Sequence, residues 1–154
     1  MLEPGDRAPA FTLPDQDGKK FKLTDLKGET VVVYFYPRAE TPGCTTQACG
    51  IRDRGDEYRE LGARVLGISP DEPEAIRKFA DNQKLDFTLL ADPDHRVAEK
   101  YGAWGERSMY GKKYMGIERS TFVVGRDGTI AHVFRKVKPE GHADEVGEAV
   151  AMMD

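Results

Sequence analysis

The longest apolar run of the chain, TVVVYFYP at residues 30–37, does not alternate with polar positions. A continuous stretch of β-branched and aromatic residues predicts a strand covered on both faces, and Pro37, which cannot donate to a ladder, ends it. Upstream, PAFTLPDQDGKKFKL predicts a small hairpin turning at Asp17-Gly18. Further strands are expected at RVLGIS, FTLLAD, STFVVG and TIAHVF, with Asp127-Gly128 turning the last pair. Between them the apolar period lengthens to three and four. Ala48, Ile51, Gly55 and Tyr58 predict one helix from about Thr45 to Leu61. Ile76, Phe79 and Ala80 predict another over Glu72–Gln83, a short one is expected near His95–Tyr101, and Ala143, Val146, Val150 and Met153 mark a C-terminal helix. YGAWGERSMYGKKYMGI, residues 101–117, is punctuated by glycines and reads as a long surface loop. Strands alternating with helices, without repeats or linkers, predict one α/β domain over residues 1–154.

Length and charge narrow the chemistry. A chain of 154 residues can bury roughly 68–70% of its unfolded surface, so its two cysteines are not needed as staples. Lys and Arg number 23 against 27 Asp and Glu, and no basic stripe argues for nucleic acid or an anionic membrane. The opening MLEPGDRAPA lacks the basic start and apolar run of a secretory signal, and VVVYFY is too short to span a bilayer. A soluble cytoplasmic protein is expected, with a small molecule or another protein as partner. In that reducing compartment two neighbouring cysteines favour catalytic or redox-sensing use over a lasting crosslink.

Both cysteines, Cys44 and Cys49, lie in PRAETPGCTTQACGIRD. A cysteine attacks as the thiolate, a minor species at neutral pH for a thiol of ordinary pKa, about 8.5. At a helix start the sulfur meets the positive end of the macrodipole and backbone N–H groups that lack intrahelical partners. Pro42-Gly43 provides a turn that brings backbone close to Cys44, and the Thr41 and Thr45 hydroxyls offer short-range hydrogen bonds. Free cysteines commonly end as small hydrophobes in a core, but this polar, turn-forming neighbourhood makes a poor core. Cys49 adds a geometric condition. Residues five apart on a continuous helix have Cα atoms roughly 8–9 Å apart, whereas a disulfide rarely spans more than about 7 Å. If both sit on the helix, they bond only after its first turn unwinds.

The segment YFYPRAETPGCTTQACGIRD resembles the active-site segment of the peroxiredoxins, in particular the bacterioferritin comigratory protein or PrxQ subfamily. GDRAPAFTLPDQDG, VLGISPDEPE, DFTLLADPDH and YGAWGERSMYGKKYMGIERSTFVV resemble that subfamily in the same order, over nearly the whole chain. The resemblance implies a thioredoxin-like fold, a central mixed β-sheet flanked by helices with an N-terminal β-hairpin extension. It also implies reduction of hydrogen peroxide and organic hydroperoxides by a peroxidatic cysteine. The family's Pro-x-x-x-Thr-x-x-Cys motif falls on Pro37, Thr41 and Cys44, with Pro37 shielding the thiolate and Thr41 holding the peroxide oxygen. The residues alone leave Arg38, Arg52 and Arg119 open as the cation near the sulfur; the resemblance selects Arg119. Cys49 matches the resolving cysteine of members that carry it in the same helix. Thioredoxin is the implied reductant and a monomer the implied state. One departure is Arg38-Ala39, where the subfamily commonly has Lys-Asp, so any role of that acidic side chain is missing here.

Other chemistries fit the pattern less well. Cysteines five apart and three scattered histidines, His95, His132 and His142, make a weak zinc pattern. A thiol-disulfide oxidoreductase would place Cys-x-x-Cys at the helix start, where this chain has four intervening residues. No phosphate-cradling loop calls for a nucleotide, and no cofactor is expected. A non-enzymatic redox switch that changes partners when its helix unwinds is the remaining alternative.

Overall fold

The computed structural model describes residues 2–153. β1 (Thr12–Pro14) and β2 (Lys20–Lys22) form the N-terminal antiparallel hairpin. Its turn is tied by the Asp15 carboxylate, which accepts from the Asp17 and Lys19 amides, and Gly18 takes the positive φ of 79°. β3 (Thr30–Phe35) is buried along its whole length, as its uninterrupted apolar sequence predicts. The remaining sheet strands are β4 (Ala63–Ser69), β5 (Thr88–Ala91), β8 (Ser120–Val124) and β9 (Ile130–Phe134).

These five form one mixed sheet in the order β5-β4-β3-β8-β9. β3 runs parallel to β4 and antiparallel to β8, which places it at the centre. Alternate residues of β3 therefore feed two different cores. Val32 and Tyr34, followed by Tyr36, face α1 (Pro42–Asp53), α3 (Pro73–Gln83) and α5 (His142–Ala151). Val31, Val33 and Phe35 face α4 (Arg96–Lys100) and the N-terminal segment, where Phe11, Leu13, Tyr101 and Phe122 complete the packing. Each fully buried large apolar side chain contributes about 1.5–3 kcal/mol of transfer free energy. Gly67 is required where Tyr34 crosses β4: a Cβ there would stand 2.8 Å from the phenol ring.

Two expectations are corrected. The single helix expected over Thr45–Leu61 is two, α1 and α2 (Gly55–Glu60), separated at Arg54 with φ −102° and ψ 12°. The apolar period carries across the break because Tyr58 of α2 still packs beneath α5, donating its hydroxyl to the Ala143 carbonyl at 2.7 Å. α1 also begins earlier, with Pro42 at its first position, where the missing N–H would have had no helical acceptor. The second correction concerns residues 101–117, which are not a loop. β6 (Trp104–Met109) and β7 (Lys112–Ile117) make an antiparallel ribbon. Tyr110 and Gly111 close it with φ of 51° and 78°, the paired positive values of a tight hairpin turn. Most of β7 is exposed, so no apolar alternation announces this ribbon.

Candidate active site

Three chain segments converge on Cys44. The first is α1 itself. Thr41 caps it in extended conformation, and the first helical bond runs from the Thr45 amide to the Thr41 carbonyl at 2.8 Å. The amides of Gly43 and Cys44 precede that bond and point out of the helix start. The second segment is the residue preceding β8. Arg119 directs Nη2 to the Cys44 sulfur at 3.3 Å and Nη1 to Gln47 Oε1 at 2.6 Å. Gly43 makes room for this guanidinium, since a Cβ at that position would lie 3.3 Å from Nη2. The third is the end of β3 and the residue just after it, where the Tyr34 and Tyr36 rings share the buried cluster of Cys44.

Cys44 is only 1% exposed. Its surroundings are polar in an unusual way. The Tyr34 and Tyr36 hydroxyls and Gln47 Nε2 are buried without a hydrogen-bonding partner among the described residues. Burial pushes both phenols well above their ordinary pKa, so they stay neutral beside the sulfur.

The connection between β3 and α1 is held from outside. The Asp71 carboxylate accepts from the Ala39 amide and from the Ser69 hydroxyl, each at 2.8 Å. Glu40 adopts a positive φ of 69° and accepts from the Asn82 amide at 2.9 Å. Thr41 Oγ1 donates to the Arg38 carbonyl at 2.9 Å. That bond uses the only hydroxyl hydrogen and leaves the oxygen as an acceptor. Pro37 is exposed, on the rim of a groove of about 820 Å³ that also includes Arg38, Trp104, Tyr114, Met115 and Arg119.

Cys49 lies farther along the unbroken α1 and is half-buried; both thiols are free. Its sulfur donates to Gln83 Oε1 at 3.6 Å, on the side of α3 and away from Arg119. Of the three arginines that the residues alone leave open, Arg119 reaches Cys44. Arg52 instead donates to the Gln83 carbonyl at 2.6 Å, and Arg38 stands on the groove wall. Sequence reasoning omitted Gln47, Tyr34 and Tyr36. Gln47 is three residues after Cys44, hence on the same helix face, and Tyr34 and Tyr36 share one face of a strand already identified.

Residues 4–133 match the model of the AhpC/TSA family. The chain belongs to that family. It is a peroxiredoxin, similar to peroxiredoxin Bcp of Escherichia coli K12, with 54% identity over 94% of this chain and 93% of the relative. Among solved structures it resembles the Xanthomonas campestris bacterioferritin comigratory protein, a protein with alkyl peroxide reduction activity. That likeness has a TM-score of 0.90 and 34% identity, over 97% and 98% of the two chains. The peroxidoxin BcpB of Mycobacterium tuberculosis is similar with a TM-score of 0.88 and 36% identity over both full lengths. The mixed sheet and its helices are thus the thioredoxin fold of a peroxiredoxin, and the enzyme is a peroxidase. Among the described residues no helix is long and apolar enough to cross a membrane.

Proposed function

We propose that this peroxiredoxin reduces hydrogen peroxide and organic hydroperoxides with Cys44 as the peroxidatic residue, and that Cys49 resolves the oxidised product. The observation that carries the reading is the Arg119 guanidinium, 3.3 Å from a sulfur set in the first turn of a helix and fixed by its second arm on Gln47. Peroxide enters over Pro37. Its O–H donates to the Thr41 oxygen, whose own hydrogen is committed to the Arg38 carbonyl. The Cys44 thiolate attacks the near oxygen, the O–O bond breaks, and the leaving oxygen departs as water or alcohol after taking a proton. Negative charge moves from sulfur toward that oxygen during the attack. Arg119 and the Gly43 and Cys44 amides are placed to stabilise it along the way, an interaction stronger in the transition state than before it.

Cys44 is left as the sulfenic acid. The Cys49 sulfur attacks that sulfur, the S–O bond breaks, and the hydroxyl leaves with the thiol proton as water. The resulting disulfide needs an external dithiol, which we assign to thioredoxin, acting through a mixed disulfide. A monomeric cytoplasmic enzyme accords with a cysteine pair contained within one helix.

The test follows NADPH oxidation with thioredoxin, thioredoxin reductase and peroxide. Wild type is expected to turn over many times, Cys44→Ser not at all, and Cys49→Ser to consume about one equivalent of peroxide before stopping. Full turnover by Cys49→Ser would remove its resolving role. A reducible disulfide without turnover would point to another reductant or to a redox switch.

A further inference from the structure

The end of α3 grips the cysteine helix and the segment leading into it at three points that the chemistry above leaves unused. Ahead of the reactive turn, the Asn82 amide donates to Glu40 at 2.9 Å. Beyond it, the Cys49 thiol donates to Gln83 Oε1 at 3.6 Å, a distance suited to a weak sulfur donor. One turn later, Arg52 donates to the Gln83 carbonyl at 2.6 Å. That carbonyl belongs to the last residue of α3, just before Lys84 in the left-handed conformation. A helix C-terminus presents orphan carbonyls and partial negative charge, and a guanidinium satisfies both.

This grip belongs to the reduced, wound state of α1. Across five residues of intact helix the cysteine Cα atoms are about 8–9 Å apart, beyond the roughly 7 Å limit for a disulfide. Before the Cys49 sulfur can attack, it must leave Gln83, and the turn between the cysteines must open. A contact made before a barrier and broken in crossing it slows the crossing.

We propose that Gln83 is the positioning residue of the resolving thiol, and that with Asn82 and Arg52 it forms a clasp that sets the lifetime of the Cys44 sulfenic acid. This rests on the reading of Cys49 as the resolving cysteine. Two reactions compete for the sulfenic acid. One is condensation with Cys49, which releases water. The other is attack on a second hydroperoxide, which transfers one oxygen to give the sulfinic acid and releases an alcohol or water. By delaying the first, the clasp favours the second.

The experiment is intact-mass analysis after peroxide pulses of graded concentration, reading the ratio of sulfinic acid to disulfide. Gln83→Ala is expected to lower that ratio about two- to five-fold, equivalent to about 0.5–1 kcal/mol, the lower part of the range for one hydrogen bond, as suits a weak sulfur donor. Asn82→Ala, which removes an exposed contact, is expected to lower it less than about two-fold. Gln83→Glu keeps an acceptor at the same reach and is expected to restore the wild-type ratio or exceed it. The rate of the first Cys44 oxidation, a step in which Cys49 takes no part, is recorded in the same samples as a check on folding. Should Gln83→Ala fail to fold, hydrogen exchange on the wild type carries the test: the amides at the end of α3 are expected to lose protection together with those of 45–52 when the disulfide forms. A wild-type ratio in Gln83→Ala, the same change in Gln83→Glu, or unaltered exchange at the end of α3 overturns the clasp. Absence of any Cys44–Cys49 disulfide in the wild type is a different failure. It overturns the resolving role itself, before any variant is compared, and the clasp falls with it.

Discussion

The two faces of the central sheet are supplied by alternate residues of the same strands, yet they are finished differently. On the face holding Phe35 and Phe122, the buried Tyr101 hydroxyl donates to the Pro9 carbonyl at 2.7 Å. Phe122 packs edge-on against Phe35 and Tyr101, with ring centroids 6.0 and 5.1 Å away. At the rim, where His95 stacks on Trp104, the buried His95 Nδ1 makes no hydrogen bond among the described residues, although a Glu99 carboxylate oxygen lies 3.4 Å away. On the Cys44 face, Tyr34, Tyr36, Gln47 and His142 all bury polar atoms without hydrogen-bonding partners among the described residues. Each such group costs about 1–3 kcal/mol relative to a satisfied one. One face is arranged for stability, and the other accepts unpaired polar groups around the Cys44 sulfur.

The comparison is tested hardest at Phe122. Phe122→Ala empties a site that is 0% exposed, and a loss of about 3–5 kcal/mol is expected in urea unfolding. Peroxidase activity per folded molecule should be retained, because Phe122 points away from Cys44. Loss of activity in molecules that circular dichroism and unfolding curves show to be folded would mean that the faces are not separable.

Arg119→Ala is the mirror experiment. Removing a preorganised donor from developing charge typically costs about 10²–10³-fold in rate, or about 2.7–4 kcal/mol of transition-state stabilisation. The second-order rate of Cys44 oxidation should fall by that factor, while the unfolding free energy falls by only about 1–3 kcal/mol, because the buried Gln47 Oε1 loses its donor. A large stability loss with an unchanged rate would assign Arg119 to packing instead.

How legible these regions were in sequence follows the same division. β3 is buried on both faces, so its sequence is apolar at every position and needs no period to be recognised. β6 and β7 escaped because their exposed ribbon carries little of the apolar alternation on which strand recognition relies. Pro42-Gly43 reads locally as a turn, although proline at the first helical position is equally favourable, and the start of α1 was therefore placed too late. Proximity of Arg119 to Cys44 is a tertiary property with no local signature. It spans 75 residues of chain, and only resemblance singled it out. The grip of Gln83 on Cys49 is likewise invisible without coordinates.

Tyr34→Phe sharpens the comparison at smaller amplitude. The hydroxyl has no hydrogen-bonding partner among the described residues, so its removal is expected to be neutral or to stabilise by about 1 kcal/mol. An equivalent deletion on the opposite face, Tyr101→Phe, breaks the bond to Pro9 and is expected to destabilise by about 1–3 kcal/mol, because the carbonyl is left without its donor. Equal and destabilising effects of the two changes, measured as urea midpoints at constant slope, would erase the asymmetry.

The smallest effect concerns His142, which opens α5 on the Cys44 face and is 1% exposed. Its Nε2 pairs with Thr121 Oγ1 at 2.8 Å, and its Nδ1 lies 3.5 Å from a Glu145 carboxylate oxygen without a hydrogen bond. Burial lowers its pKa below the ordinary 6.5 and Arg119 pushes the same way, while Glu145 opposes both. In the unfolded chain the ring takes up a proton as pH falls through about 6.5; in the folded protein it resists. Stability from this group is therefore complete above that pH and declines below it, by at most about 1.4 kcal/mol per pH unit for one proton. His142→Gln retains a partner for Thr121 and cannot titrate. Its urea stability should fall less between pH 7.5 and pH 5.5 than that of the wild type. Parallel pH profiles for the two proteins would mean that the Glu145 carboxylate compensates the buried charge in full.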